Sequence, residues 1–190
     1  MAPTYSVRNS SRDALLDALE TLLTEGSVHD VTLDGVAALA GITKSGLIYH
    51  FKSKEALLSA LVERMRANMD VCCFDDHADP RQALKTFLLG RIRFAFGISD
   101  QKKKLMANLL AAASSYPAVL KPVRRMYEAG TTDLARVADS AGIGLTVWTT
   151  LDGLVLLEML NLRHFSDAEK QQMQATLVAM VEQHFADTSA

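Results

Sequence analysis

Cysteine is almost absent from this 190-residue chain, which has only Cys72 and Cys73, side by side. Adjacent cysteines cannot form an ordinary structural disulfide, which excludes a disulfide-rich scaffold and agrees with a reducing cytosol. Proline and glycine are also scarce, with four and ten residues, and aromatic residues make up 6%. Because alanine, leucine, methionine and glutamate abound instead, the composition favours an all-α fold, and the length allows a large core.

The chain has no large charge of either sign, since its formal net charge is −2. A strongly basic protein that coats nucleic acid without sequence preference is therefore excluded, and any DNA binding must come from a local patch of positive charge. One segment has this local character: from Gly41 to Lys54 there are three cations and no acid.

A long uninterrupted hydrophobic run is missing too. The most apolar stretch, Leu145 to Leu162, contains Asp152 and Glu158 and falls short of a comfortable membrane span. We predict that it forms a buried or interface helix. The N-terminus shows no charged-then-apolar leader, so we expect a cytoplasmic protein.

The stretch from Thr32 to Leu57 has the pattern of short helices joined by a tight turn. Thr32 can cap the first helix, and apolar residues follow at helical spacing on one face: Leu33, Val36, Ala37 and Ala40. Gly41 can end this helix in the left-handed conformation. Thr43 is placed to cap a second helix two residues later.

In the second helix, Leu47 and Phe51 stand four residues apart and are predicted to face inward. Ser45 and Gly46 are small and lie at its N-terminal end, where a recognition helix approaches base edges most closely. The remaining surface is formed by Lys44, Ile48, Tyr49 and His50. Ser53 can then cap a third helix, at whose start Lys54 could reach a phosphate.

The residues just described follow the pattern Thr32-x3-Val36-Ala37-x2-Ala40-Gly41-Ile42-Thr43-x2-Gly46-Leu47-Ile48-Tyr49-His50-Phe51-x-Ser53-Lys54-x2-Leu57. This pattern resembles the DNA-binding domain of the TetR family of bacterial transcriptional regulators. The commoner form of the family has Gly two places before the Leu and Tyr directly after it. Here those places hold Ser45 and Ile48, and Gly46 and Tyr49 each come one step later.

The resemblance implies an N-terminal three-helix DNA-binding domain, residues 1–56, and a C-terminal helical effector-binding and dimerisation domain, residues 57–190. It implies a homodimeric bacterial repressor that binds a palindromic operator in double-stranded DNA. Release would follow when a small apolar or amphipathic molecule enters the C-terminal domain. No cofactor and no metal are expected.

Two kinds of DNA contact are predicted for the second helix and its surroundings. Lys44, Ser45 and Gly46 are expected at base edges, with Ile48 against a thymine methyl group. The residues expected at or beside phosphates are Thr32, Thr43, Tyr49, His50 and Lys54.

A helix before this stretch is predicted to cover it. Ser10 or Ser11 can cap that helix, Gly26 ends it, and its apolar stripe consists of Leu15, Ala18, Leu19, Leu22 and Leu23. Its expected packing partners are Val36, Leu39, Leu47 and Phe51. Arg8 and Arg12, at the end of the N-terminal arm, could reach DNA, although a solvated tail is the plainer interpretation.

The helix that begins after Ser53 is predicted to continue past Met69 and to join the two domains as a rigid rod. The clearest break follows it, from Phe74 to Gln82. Its acids and histidine, together with Cys72 and Cys73, leave two interpretations open: a solvated loop, which we favour, and a metal-sensing site.

Three further helices are predicted between this break and the last pair, which comprises about Leu145 to Leu162 and Asp167 to Phe185. Gly130 is expected to interrupt the helix before them, and Ser140 to Gly144 to form a turn. The strip Met173, Leu177, Met180, Val181 and His184 would suit a partner helix. This pair either forms a four-helix bundle with a second subunit or closes only its own core.

Candidate ligand-contact residues lie on the middle helices and are mostly large and apolar. They are Met65, Met69, Phe87, Arg91, Phe94, Met106, Leu110, Tyr127 and Trp148. Each could instead be an ordinary core residue, although methionine-rich interiors adapt to varied guests. Arg91 either pairs with an anionic ligand or makes a surface ion pair.

Two rival functions remain at this level. An enzyme is disfavoured, because no catalytic triad, phosphate loop or metal-binding helix is visible and the five histidines are scattered. A helical interaction protein that uses the same fold without DNA is the second rival.

Overall fold

The computed structural model describes residues 10–67 and 79–186, and in this part of the chain all regular structure is helical. The helices are α1 (Ser11–Glu25), α2 (Leu33–Leu39), α3 (Lys44–His50), α4 (Lys54–Ala67), α5 (Pro80–Phe96), α6 (Asp100–Ala112), α7 (Lys121–Ala135), α8 (Ala141–Met159) and α9 (Asp167–Ala186). Short 3-10 turns precede α7 and α8, at Pro117–Leu120 and Ala138–Ser140. The predicted all-α fold is confirmed.

Some sequence predictions fall outside the described residues. They concern the N-terminal arm with Arg8, the extension of α4 past Met69, and the predicted loop or metal site around Cys72 and Cys73.

The chain divides into two compact units, and the first contains the N-terminal helices. Its described residues are 10–66 together with Asn108–Pro122. The described residues of the second unit are Ala67, residues 79–107 and residues 123–186. The first unit is therefore assembled from two segments that are distant in sequence.

Side-chain caps fix where the N-terminal helices begin. The hydroxyl of Ser10 accepts a hydrogen bond from the Asp13 amide at 3.1 Å, and Thr32 caps α2 in the same way. Each cap satisfies one of the free N–H groups of a first helical turn. Gly26 ends α1, as the sequence predicts.

The core of the first unit is made of leucines from α1 and α4 with apolar residues of α2 and α3. Its fully buried members include Leu15, Leu16, Leu19, Leu23, Val36, Leu47, Leu57, Leu58 and Leu61. The prediction that Leu39 packs against α1 in this core is wrong, because its side chain is 53% exposed. The buried face of α2 is centred between Val36 and Ala37, and Leu39 lies roughly 110° around the helix from that centre.

The second unit is built around α5, which packs against α8 and α9. Its core contains residues from all three helices: Leu84, Leu88, Ile92, Val147, Trp148, Leu151, Leu177, Val181 and Phe185. Two members of the predicted α9 partner strip, Leu177 and Val181, are thus used in the protein's own core, whereas Met180 is 39% exposed.

Two glycine-based predictions in this unit are wrong. Helix α7 runs through Gly130 without a break, and α8 begins at Ala141, inside the predicted turn. A Cβ atom at Gly130 would lie 2.0 Å from Cη2 of Trp148. The glycine therefore makes room for the indole ring rather than ending a helix.

Candidate DNA interface and ligand pockets

Helices α2 and α3 are joined by the tight turn that the sequence predicts. Gly41 has a φ of +67°, in the left-handed region where glycine avoids a steric cost. The Ile42 amide donates to the Ala37 carbonyl at 2.9 Å, which closes the turn. Thr43 then caps α3 by accepting from the Gly46 amide at 3.1 Å. The result is a helix-turn-helix.

Helix α3 has a buried side and a solvent-facing side. Leu47 is fully buried and Phe51, which follows the helix, is 4% exposed. Ser45 and Tyr49 lie on the opposite side, where Ser45 is exposed and the exposed fraction of Tyr49 is 78%, and His50 at the end of the helix is also exposed. An exposed tyrosine of this kind offers both a ring and a hydroxyl to a partner.

The predicted base-reading residue Lys44 is exposed and forms an ion pair. Its ammonium lies 3.0 Å from the carboxylate of Asp34 on α2, and both side chains are about two-thirds exposed. Such exposed pairs contribute little free energy, so the ammonium can exchange this partner for another acceptor at small cost.

Gly46 has a packing role inside the turn. A Cβ atom there would lie 2.9 Å from Cγ2 of Ile42 and 3.2 Å from the Thr43 hydroxyl. A side chain at position 46 would therefore point into the turn. Gly46 has to be small because of its contacts with Ile42 and Thr43, and not because of a contact at the exposed surface.

Lys54 does not lie as the sequence analysis expects. Its ammonium donates to the backbone carbonyls of Val28 and Val31, both at 2.6 Å, and lies 5.8 Å from the ring centre of Tyr116. Burial lowers the pKa of Lys54, and the nearby charge of Asp30 only partly opposes that shift. The geometry makes Lys54 a support for the loop between α1 and α2 instead of a group aimed at a phosphate.

Lys52 is the cation at this surface that the sequence predictions left out. It lies between α3 and α4, and its side chain is exposed. Lys52 is one of the three cations counted from Gly41 to Lys54, so the sequence did indicate it. The phosphate contact was instead predicted for Lys54, because Lys54 stands at the start of a helix. Arg12 lies nearby, with its guanidinium 5.3 Å from the ring centre of Phe51.

In the second unit, four of the predicted ligand residues lie together. The indole of Trp148 stacks on the ring of Tyr127 and meets the ring of Phe87 edge-on, with ring centres 5.3 and 5.7 Å apart. The guanidinium of Arg91 lies 5.2 Å from the Trp148 ring centre. These residues form an aromatic cluster around one buried cation.

Of the two alternatives for Arg91, the structure shows an ion pair, but the Arg91 side chain is buried and does not lie at the surface. Its guanidinium donates to Asp152 at 3.1 Å, and the same carboxylate accepts from the Tyr127 hydroxyl at 2.6 Å. Burial and this hydrogen bond raise the pKa of Tyr127 well above its usual value. Within the described residues, Arg91 Nε has no hydrogen-bond partner.

The other predicted ligand residues are not brought into this cluster. Met65 and Leu110 belong to the first unit. The ring of Phe94 lies beneath the Lys102 ammonium, at 5.3 Å, and Met106 is half-buried on α6. Met69 lies outside the described residues.

A cavity that the sequence predictions missed lies between α5, α6, α8 and α9. Its volume is about 350 Å³, and both apolar and polar residues line it. The apolar lining residues are Ala95, Phe96, Ile98 and Leu154, and the polar or charged ones are Ser99, Asp100, Lys103, Glu158 and Lys170. No local sequence pattern predicts this site, since its charged residues come from three separate helices.

Residues 138–159 are long and apolar enough to cross a membrane, judged by length and composition alone. The three acids in this stretch all form ion pairs within the second unit, however: Asp139 pairs with Arg81, Asp152 with Arg91 and Glu158 with Lys103. Such pairing is what a helix buried in protein requires. Among residues 10–67 and 79–186, no group of three or more His, Cys, Asp or Glu side chains is arranged to hold a metal ion.

Comparison with known proteins gives matches in both halves of the chain. Residues 15–61 match the family model described as "Bacterial regulatory proteins, tetR family". Residues 85–182, just over half of the chain, match "Tetracyclin repressor-like, C-terminal domain".

Two curated relatives are regulators from bacteria. The transcriptional repressor BepR of Brucella suis is 23% identical over 128 residues, which are 65% of this chain and 60% of BepR. The transcriptional regulator RutR of Escherichia coli K12 is 24% identical over 110 residues, 55% of this chain and 50% of RutR. The chain thus spans between half and three-fifths of the length of these relatives.

Solved structures share the fold over nearly the whole chain. The repressor MexZ from Pseudomonas aeruginosa superposes with a TM-score of 0.66 at 15% identity, covering 90% of this chain and 93% of MexZ. A TetR-family protein from Rhodococcus sp. gives a TM-score of 0.63 at 18% identity, with coverages of 93% and 100%. The helix-turn-helix and both family matches agree: the chain belongs to the TetR family of bacterial regulatory proteins.

Proposed function

We propose that this protein is a DNA-binding transcriptional repressor that acts in the bacterial cytoplasm as a homodimer. Each copy would place α3 in the major groove of one half of a palindromic operator, and a small molecule in the second unit would release the DNA. The observation that carries this proposal is the two-sided α3, with Leu47 fully buried and Tyr49 78% exposed.

The exposed surface of α3 suits a duplex in both shape and charge. Lys44 and Ser45 at its N-terminal end are positioned to read base edges, with Ile48 beside them. Tyr49, His50 and the turn residue Lys52 are exposed cations or hydrogen-bonding groups that can contact phosphates. Thr32 and Thr43 cap α2 and α3, and both side chains are exposed beside this surface, where their hydroxyls can also contact phosphates.

Homodimerisation is supported by the apolar surface of α8 and its continuation. Five exposed leucines lie between residues 145 and 162: Leu145, Leu156, Leu157, Leu160 and Leu162, with exposed fractions from 37% to 69%. Met180 on α9 is 39% exposed. A cluster of exposed large apolar side chains marks an interaction surface, and a helix pair from each of two copies can form a four-helix bundle.

The aromatic cluster of Phe87, Arg91, Tyr127 and Trp148 supports the predicted effector site. It combines flat apolar faces with a buried cation, which suits a small amphipathic molecule. Asp152 already partners Arg91 in the structure described here. A ligand at this place would therefore add contacts to an existing ion pair.

Selection from a random DNA pool tests this function directly. The full-length protein should enrich a palindrome whose half-sites lie about one helical turn apart, because a two-fold dimer presents two equivalent α3 helices. Tyr49→Ala should lose this enrichment, whereas Leu39→Ala, which removes an exposed side chain outside α3, should keep it. Failure to enrich any palindrome, with the protein folded and dimeric, would favour a helical interaction protein that does not bind DNA.

A further inference from the structure

The cavity between α5, α6, α8 and α9 is lined by charged residues around one buried carboxylate. Glu158 on α8 accepts from Lys103 on α6 at 2.6 Å and from Lys170 on α9 at 2.7 Å. The side chain of Glu158 is 7% exposed and that of Lys103 is 10% exposed. Three helices of the second unit thus contribute to one ionic cluster, which we call the Lys103–Glu158–Lys170 triad.

Burying the charged groups of such a triad costs free energy of desolvation, so the triad is a poor means of stabilising the helix packing. Removing charges from water costs several kcal/mol per ion in proteins, and apolar residues of similar size often stabilise a core equally well. Burial alone would raise the pKa of Glu158, but the hydrogen bonds and charges of the two lysines outweigh it and keep the pKa lowered. The triad is therefore charged at neutral pH.

The charges of the triad do not balance inside the cavity. Two ammonium groups share the single buried carboxylate, and the other acid near Lys103, Asp100, has a fully exposed side chain. Water screens the exposed Asp100 far more than the buried groups. The four formal charges around the cavity sum to zero, but Lys103, whose side chain is buried, and Lys170, whose side chain is 28% exposed, have only one buried carboxylate, Glu158, between them.

The triad also has hydrogen-bond donors to spare. An ammonium group has three N–H donors. Among the described residues, Lys103 uses one on Asp100 and one on Glu158, and Lys170 uses one on Glu158. The remaining donors can be met by an anion that enters the cavity, without breaking the contacts to Glu158.

The lining of the cavity also includes the apolar residues Phe96, Ile98 and Leu154. A volume of about 350 Å³ lies near the lower end of the range of small-molecule pockets. From the net positive charge of the triad, its spare donors and the apolar lining residues, we propose that the cavity binds a small organic carboxylate whose body is apolar. This carboxylate would be a second effector of the regulator proposed above, on which this part of the inference rests, and its site is separate from the aromatic cluster.

The binding test uses full-length protein and three probes, which are hexanoate, octanoate and phenylacetate, followed by isothermal titration calorimetry. At least one should bind, and 1-octanol and octylammonium should bind at least about tenfold more weakly than octanoate, because they lack the anion. Lys170→Gln should weaken carboxylate binding at least about tenfold, and Lys170→Arg should restore most of it.

The control variant is Lys104→Gln, which removes the same charge from an exposed position on α6 that does not line the cavity. It should bind the carboxylate as the unmodified protein does. The proposal is overturned if none of the three carboxylates binds, or if Lys170→Gln and Lys104→Gln bind the carboxylate equally well. It is also overturned if inorganic phosphate binds as tightly as the best carboxylate, since phosphate has no apolar body to contact the apolar lining residues.

Operator binding separates this site from the proposed function. The same protein is titrated with its selected operator, with and without the best carboxylate, and fluorescence anisotropy reports the complex. Release by the carboxylate, lost in Lys170→Gln, supports the effector role. Carboxylate binding by a protein that selects no operator would overturn the regulator and leave the carboxylate site standing. Normal operator binding without any carboxylate binding would do the reverse.

Discussion

Replacing Lys54 with methionine distinguishes a structural lysine from a DNA-contacting one. The substitution keeps the aliphatic stem and removes an ammonium that donates to the carbonyls of Val28 and Val31, both at 2.6 Å. These two residues belong to the loop between α1 and α2, where their side chains are almost fully buried. The variant therefore leaves two backbone acceptors of that loop without this donor.

The expected loss of unfolding free energy follows from these two hydrogen bonds. A hydrogen bond to a charged group is worth roughly 1.5–3 kcal/mol, so the pair has a gross value of about 3–6 kcal/mol. Burial of the ammonium, which lowers the pKa of Lys54, offsets much of this gain, but the substitution also leaves the two part-buried carbonyls of the loop without a donor, at roughly 1–3 kcal/mol each. We expect Lys54→Met to lower the free energy of unfolding by about 2–3 kcal/mol at neutral pH.

The lowered pKa also fixes the sign of a pH effect. Between the folded-state pKa of Lys54 and its ordinary value of 10.5, the unfolded chain binds more protons than the folded chain at this residue. Stability then rises with pH in this window. The difference in unfolding free energy between the unmodified protein and Lys54→Met should consequently grow as the pH rises through the window.

Urea unfolding followed by circular dichroism measures the stability change, and operator affinity against salt concentration tests for a phosphate contact. Lys52→Met is the matched control, since Lys52 is exposed in the adjacent turn. It should keep normal stability and reduce the salt slope by about 1.8 per dimer, about 0.9 for each subunit, whereas Lys54→Met should leave the slope unchanged. A Lys54→Met protein of normal stability whose salt slope falls by about 1.8 per dimer would refute the structural role.

Three more substitutions have defined outcomes. Lys44→Ala should relax sequence choice at a cost of about 1–3 kcal/mol for the selected operator and much less for random DNA; equal losses on both would argue against base reading. Gly130→Ala should destabilise the protein by about 1–3 kcal/mol in urea unfolding, because the new Cβ would lie 2.0 Å from Trp148, while Gly153→Ala, which meets nothing within 4 Å, should be neutral or stabilising by up to about 1 kcal/mol. Leu156→Glu should convert a dimer to a folded monomer in light scattering, whereas Leu110→Glu, at a similarly exposed leucine outside α8 and α9, should remain dimeric; an unchanged dimer in both would move the interface elsewhere.

The features that sequence analysis predicted well are the local ones. Thr32 and Thr43 cap helices by contacts to residues three positions later, and Gly41 adopts its left-handed conformation inside a short turn. Interactions of this kind are encoded within a few residues, so the helix-turn-helix was readable from Thr32 to Leu57. The same locality explains why this stretch carried the family resemblance.

The errors arose where a residue's role depends on a distant neighbour. Gly130 resembles a helix breaker in the sequence, but it is the close neighbour of Trp148 in the adjacent helix. Lys54 stands where a helix start could meet a phosphate, yet carbonyls more than twenty residues earlier hold its ammonium. Leu177 and Val181 follow the period of a strip that could face a partner helix, and the structure places both in the protein's own core, which the sequence had left open as the alternative.

The sequence by itself determined the helices, the order in which they occur and the two-sided character of α3, because hydrophobic period and capping act over one or two turns. Only the tertiary structure decided which charges meet. Lys103, Glu158 and Lys170 come from three helices, and their ion pairs exist because packing brings those helices around one cavity. Contacts between residues so far apart in the chain leave no periodic signal, since each helix satisfies its own pattern without reference to the others.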